Sequence, residues 1–108
     1  MVEVRFGKQY LQDLYEGKTR SYKEYKSNPQ LVKQYIKTVN KLKSVTRIEQ
    51  LYQIGSLHYE KKEGDLKDKN TVWVNNQYRI ILQEKSSEEN SGIIDILELE
   101  ELSKHYQK

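Results

Sequence analysis

The sequence predicts an α+β fold, in which N-terminal helices pack on one face of a twisted, mainly antiparallel β-sheet and a short C-terminal helix or tail closes the chain. Two observations carry this prediction. Apolar residues recur at helical spacing through the first half of the chain, and the period changes to two after Leu57. At 108 residues the chain is long enough for one core and too short for two, so residues 1–108 are expected to form a single domain.

Residues 2–6, VEVRF, alternate apolar and charged side chains and predict a short half-buried strand closed by Gly7. Tyr10, Leu11, Leu14 and Tyr15 then lie at helical spacing, which predicts a helix over 8–16 ending near Gly17. Residues 18–27 are polar and aromatic and read as a loop or a weak helical turn. The clearest helix starts after Asn28, a good cap, with Pro29 at the first helical position, where no intrahelical N–H is needed. Leu31, Val32, Tyr35, Ile36, Val39 and Leu42 trace its apolar stripe, while Lys33, Lys37 and Lys41 form a basic row on another face. A further turn is expected around Ile48, Leu51 and Tyr52.

Residues 71–74 and 78–82 are β-rich runs joined by Asn75-Asn76-Gln77. A three-residue loop pairs Trp73 with Arg79 and Val72 with Ile80. It gathers Val72, Val74, Tyr78, Ile80 and Leu82 on one face and Trp73, Arg79 and Gln83 on the other. A two-residue loop would instead place Arg79 beside Val72 and Val74, so the three-residue register is preferred. Residues 85–92 read as a polar loop and 93–99 as a last strand, apolar on both parities and therefore expected to be central and covered on both sides. Residues 100–108 read as the terminal helix or tail. If the helices cover one sheet face, the other is left open, and it carries Trp73 and Arg79.

Only 35% of residues are hydrophobic, but nine Tyr add large rings with polar tips to the core. With no Cys there can be neither disulfides nor thiolate metal sites, and a reducing cytoplasm is the expected location. No stretch approaches the ~18 apolar residues of a membrane span. Net charge is +3, divided unevenly: residues 1–85 hold 17 Lys/Arg against 10 Asp/Glu, a balance of +7, and the remaining residues hold 2 against 6, a balance of −4. A basic body suits a polyanionic partner.

Two His separated by 47 positions form no metal-ligand pattern, and neither phosphate-binding loops nor a nucleophile elbow is present. What remains is the open face with His58, Lys61, Lys62, Lys67, Trp73 and Arg79, plus His105 and Tyr106 near the end. Cations can hold a phosphate, Trp and Tyr can stack an unpaired base, and His can exchange a proton near neutral pH. These are the parts needed to cut RNA without a metal or other cofactor: a base for the ribose 2′-OH, cations for the charge on phosphorus, and an acid for the leaving oxygen. Plainer readings exist for each. Trp73 can shield Arg79 through a cation–π contact, the Lys row can be solvated surface, and Arg79 can be paired with Glu60, Glu63 or Asp65.

The run LHYEKKEGDLKDKN-TVWVNNQYRIIL, residues 57–82, resembles the signature of the HigB branch of the RelE/ParE toxins, in which LHYExLKGDLKG is followed by SVRVNNQYRI. FGKQYLQDLYEGK at 6–18 and ELSKHY at 101–106 are also similar to that branch, so the resemblance spans nearly the whole chain. It implies a RelE-like fold and the toxin of a type II toxin–antitoxin system. Such a toxin is a ribosome-dependent mRNA endonuclease, and its partners are the translating ribosome, mRNA and a cognate HigA-like antitoxin with a helix-turn-helix.

Residue by residue, the family's His and Arg fall on His58 and Arg79, and its terminal active residues on His105 and Tyr106. The resemblance thus implies His58, Arg79, His105 and Tyr106 as catalytic, with Lys61, Lys62, Lys67 and Trp73 contacting RNA. Two positions depart from the pattern. Glu63 stands where the family has Lys, and Trp73 where many relatives have Arg. The alternatives are a ParE-like gyrase inhibitor and a catalytically inactive relative that only binds RNA or an antitoxin.

Overall fold

A computed structural model describes residues 2–89 and 92–104. Strand β1 (Val2–Phe6) is followed by helices α1 (Gln9–Tyr15), α2 (Lys23–Lys26) and α3 (Pro29–Ser44). Two 3₁₀ turns, Ile48–Gln53 and Gly55–Leu57, lead into the two-residue strand β2 (Glu60–Lys61). A third turn, Gly64–Leu66, precedes β3 (Asn70–Trp73), β4 (Tyr78–Glu89) and β5 (Gly92–Lys104). The sheet order is β1-β5-β4-β3-β2, with β1 parallel to β5 and every other pair antiparallel. No helix among the described residues is long and apolar enough to cross a membrane.

The helices form where the sequence places them. The Leu31 backbone N–H donates to Asn28 Oδ1 at 3.3 Å, with Pro29 in the first turn of α3. Its stripe buries Leu31, Val32, Tyr35, Val39 and Leu42, against Leu11 and Leu14 of α1 and Val72, Ile80, Leu82, Leu97 and Leu99 of the sheet. The Tyr35 hydroxyl donates to the Leu11 carbonyl at 2.8 Å, so the ring is buried with its polar tip satisfied.

The hairpin adopts the three-residue register. Val72 lies opposite Ile80 and Trp73 opposite Arg79, and Asn75 Oδ1 accepts from the Gln77 and Tyr78 backbone amides at 2.8 Å each. Val72, Tyr78, Ile80 and Leu82 accordingly face the helices. Trp73 and Arg79 face the other way.

Two expectations require correction. Residues 85–89 are not a loop: they continue β4 and pair in unbroken succession with residues 92–96 of β5. Glu and Ser are poor strand formers, but an apolar partner strand rich in Ile overrides that preference. Residues 100–104 are not helical either; they extend β5, while residues 105–108 lie outside the described ones. The cause is a register shift at Ile81/Leu82, where Ile81 pairs with Glu101 and Leu82 with Leu99, leaving Glu100 as an extra residue in β5. That bulge lets Leu99 and Leu102, three positions apart, both reach the core. In sequence, a spacing of three imitates a helix. β5 is central, as expected, although Ile93 at its start is 71% exposed.

Gly7 is the glycine that lies closest against a neighbouring backbone. Its N–H donates to the Leu99 carbonyl at 2.7 Å, and a Cβ built on it would stand 2.7 Å from the same oxygen. Since that oxygen is backbone, Gly7→Ala must push β1 away from β5. We expect a loss of roughly 1–3 kcal/mol, typical of overpacking, read as a lower midpoint in chemical denaturation.

Candidate functional site

His58 ends the turn Gly55–Leu57 with φ 47° and ψ 47°, a left-handed conformation that non-glycine residues seldom adopt and His tolerates better than most. Fully buried Leu57 anchors the turn from below. His58 is therefore a turn residue and not part of the period-two run that starts after Leu57. The imidazole lies on the indole of Trp73, ring centroids 3.9 Å apart and planes inclined at 27°. The same indole carries the Arg79 guanidinium, whose Cζ stands 3.9 Å from the ring centroid.

Arg79 is 8% exposed although it sits on the sheet face away from the helices. Its Nη1 donates to the Asn75 carbonyl at 2.6 Å and the Tyr78 carbonyl at 3.1 Å. Burial lowers its pKa, but a guanidinium starts so far above neutrality that it stays charged. Among the described residues no carboxylate pairs with it. Glu60 bonds instead to Lys62 at 3.2 Å, and the side chain of Asp65 lies outside the described ones. No buried side-chain nitrogen or oxygen among the described residues lacks a hydrogen-bond partner. The other guanidinium nitrogens, which bond to none of those residues, therefore reach solvent.

They reach it in a cavity of about 340 Å³. Thr71, Ile81 and Ser103 form its floor on the sheet, Glu60, Lys62, Trp73 and Arg79 its walls, and Leu66 its margin. Beyond Leu66 and Ile81 a second hollow is lined by Glu98, Glu100 and Glu101 against Lys8 and Lys69, a net negative balance. There Lys69 Nζ is held 2.6 Å from Glu100. An anion on this face is thus drawn to the Arg79 end.

The residues singled out in the sequence separate clearly. His58, Trp73 and Arg79 come together in one stack; Trp73 and Arg79 line the cavity with Lys62, and His58 does not. Lys61 and Lys67 are exposed and do not line it, Lys61 because strand alternation turns it opposite to Glu60 and Lys62. His105 and Tyr106 lie outside the described residues. In the basic row of α3, Lys41 bonds to Ser56 at 2.8 Å. Sequence reasoning named Glu60 only as a possible ion-pair partner of Arg79, not as a site residue, and passed over Ser103; both line the cavity. The signal for Glu60 was its parity with Lys62 on an edge strand.

The architecture defines a class first: helices packed on one face of a five-stranded sheet, the arrangement of the YoeB/ParE toxins. A solved YoeB/ParE toxin from Agrobacterium tumefaciens matches with a TM-score of 0.53 and 16% identity, over 96% of this chain and 99% of that one. A YoeB–YefM complex from Staphylococcus aureus matches at a TM-score of 0.46 and 16% identity, over 98% and 99%. No family model and no curated protein matches the sequence.

Proposed function

We propose that the protein is the toxin of a type II toxin–antitoxin system and cleaves mRNA on the translating ribosome by metal-independent acid–base chemistry. One observation carries the reading: a buried guanidinium that pairs with no carboxylate among the described residues opens into a cavity also lined by Glu60, which bonds to Lys62. A cation left half-satisfied in this way is complementary to an anion that arrives from outside.

In the proposed reaction Arg79 binds the non-bridging oxygens of the scissile phosphate and stabilises the charge that grows on them. Glu60 takes the proton of the ribose 2′-OH, whose oxygen attacks phosphorus and forms a 2′,3′-cyclic phosphate. The 5′-oxygen leaves with a proton from His58 or, beyond the described residues, from His105 or Tyr106. Lys62, which bonds to Glu60 at 3.2 Å, adds positive charge. A shallow site of this kind relies on the ribosome to hold the RNA in line for attack. The basic body, with Lys33, Lys37, Arg20, Lys23 and Lys26, would meet ribosomal RNA; Lys61 and Lys67 would contact RNA outside the cavity. The HigB resemblance adds a HigA-like antitoxin as the cognate partner.

The test is expression in a host that lacks the antitoxin. Protein synthesis is expected to stop, with new mRNA ends inside ribosome-bound transcripts. DNA-damage signalling without such ends would favour gyrase inhibition, and unimpeded growth would favour a binding-only protein.

A further inference from the structure

The indole of Trp73 would ordinarily be read as the platform on which an unpaired base stacks. The contacts argue otherwise. Trp73 is half-buried and its π-system already carries both the His58 ring and the Arg79 guanidinium, each at 3.9 Å. His58, by contrast, is exposed while stacked on the indole, so its opposite face is open to solvent. The turn that carries the ring is anchored by buried Leu57, and the contact with the indole sets the ring's orientation.

We infer that the open face of the His58 imidazole is a nucleobase-binding site, and that Trp73 is the positioning residue that holds this ring in register with Arg79. The site rests on the proposed RNA substrate but concerns binding alone. A base stacked on His58 continues the order guanidinium, indole, imidazole, base. The imidazole nitrogens lie on the ring edge, so stacking leaves them free to carry a proton. Stacking reads a π-face, not hydrogen-bond donors and acceptors, so the site accepts purines and pyrimidines, with the larger purine surface favoured.

The experiment titrates the whole protein with two probes, a trinucleotide made entirely of 2′-deoxy residues, which cannot be cut, and ribose 5-phosphate, which has the anion without a base. His58→Asn keeps a residue that tolerates the left-handed turn and removes the aromatic ring. It is expected to weaken trinucleotide binding about 5- to 150-fold, the range for one lost base stack, and to leave ribose 5-phosphate binding within about twofold. His58→Phe should keep the trinucleotide affinity within about threefold. Trp73→Leu, which frees the imidazole, should weaken trinucleotide binding, and Trp73→Phe should restore it. The inference is overturned if His58→Asn leaves trinucleotide affinity unchanged, weakens both probes alike, or is matched by His58→Phe. Loss on Trp73→Leu without loss on His58→Asn would return the platform to Trp73. Cleavage is not measured, so failure of the nuclease reading would leave this result intact.

Discussion

Arg79→Lys is expected to cut mRNA cleavage by about 10²–10³-fold while the protein stays folded. Removing one preorganised donor to a developing oxyanion has about that effect. Lysine keeps the charge but loses the planar fork that bonds the Asn75 and Tyr78 carbonyls and leaves nitrogens over for the proposed phosphate. Arg79→Ala goes further. It takes the guanidinium donor from the Asn75 carbonyl, while the Tyr78 carbonyl keeps the Val74 amide, and it removes the cation from the indole, at a stability cost of roughly 1–3 kcal/mol. Running both variants in a ribosome-coupled cleavage assay, with a denaturation curve for each, separates the two losses. Activity that survives in Arg79→Lys would show that Arg79 serves the fold and not the chemistry.

Glu60→Gln should lower cleavage by about 10²–10⁴-fold, the ordinary worth of a general base. Glu60 is exposed on a two-residue edge strand and its partner is Lys62, so the amide costs little stability. The decisive control is Lys62→Met. If Glu60 is the base, Lys62→Met should weaken the reaction less than Glu60→Gln does. If Glu60 matters only as the counter-ion that places Lys62, the order reverses. Rates for the two single variants and the double variant, from one preparation of ribosomes, decide between these roles.

Much of the scaffold was legible in the sequence because its local signals agree with its packing. Asn28-Pro29 starts α3 as capping chemistry requires, and its stripe becomes the core. The three-residue loop was forced by parity, since any slip would drive Arg79 among the apolar residues. The convergence of Trp73 with Arg79 follows directly from that register. Other features depend on long-range pairing and were hidden. A run as polar as residues 85–89 becomes strand only because β5 lies beside it. The extra residue at Glu100 shifts the alternation and disguises the end of β5 as a helix. At the site, His58 met Trp73 through a left-handed backbone that no propensity announces. Glu60 entered the cavity through strand alternation at an edge too short to read.

The account depends on Arg79 meeting a phosphate on the open sheet face. Its guanidinium Nε–H signal, followed by NMR while a non-cleavable 2′-deoxy trinucleotide is added, tests this most directly. The prediction is a shift of the Arg79 signal at the same ligand concentrations that move His58 and Trp73. An unmoved Arg79 signal, with the changes confined to the lysines of α3, would contradict it.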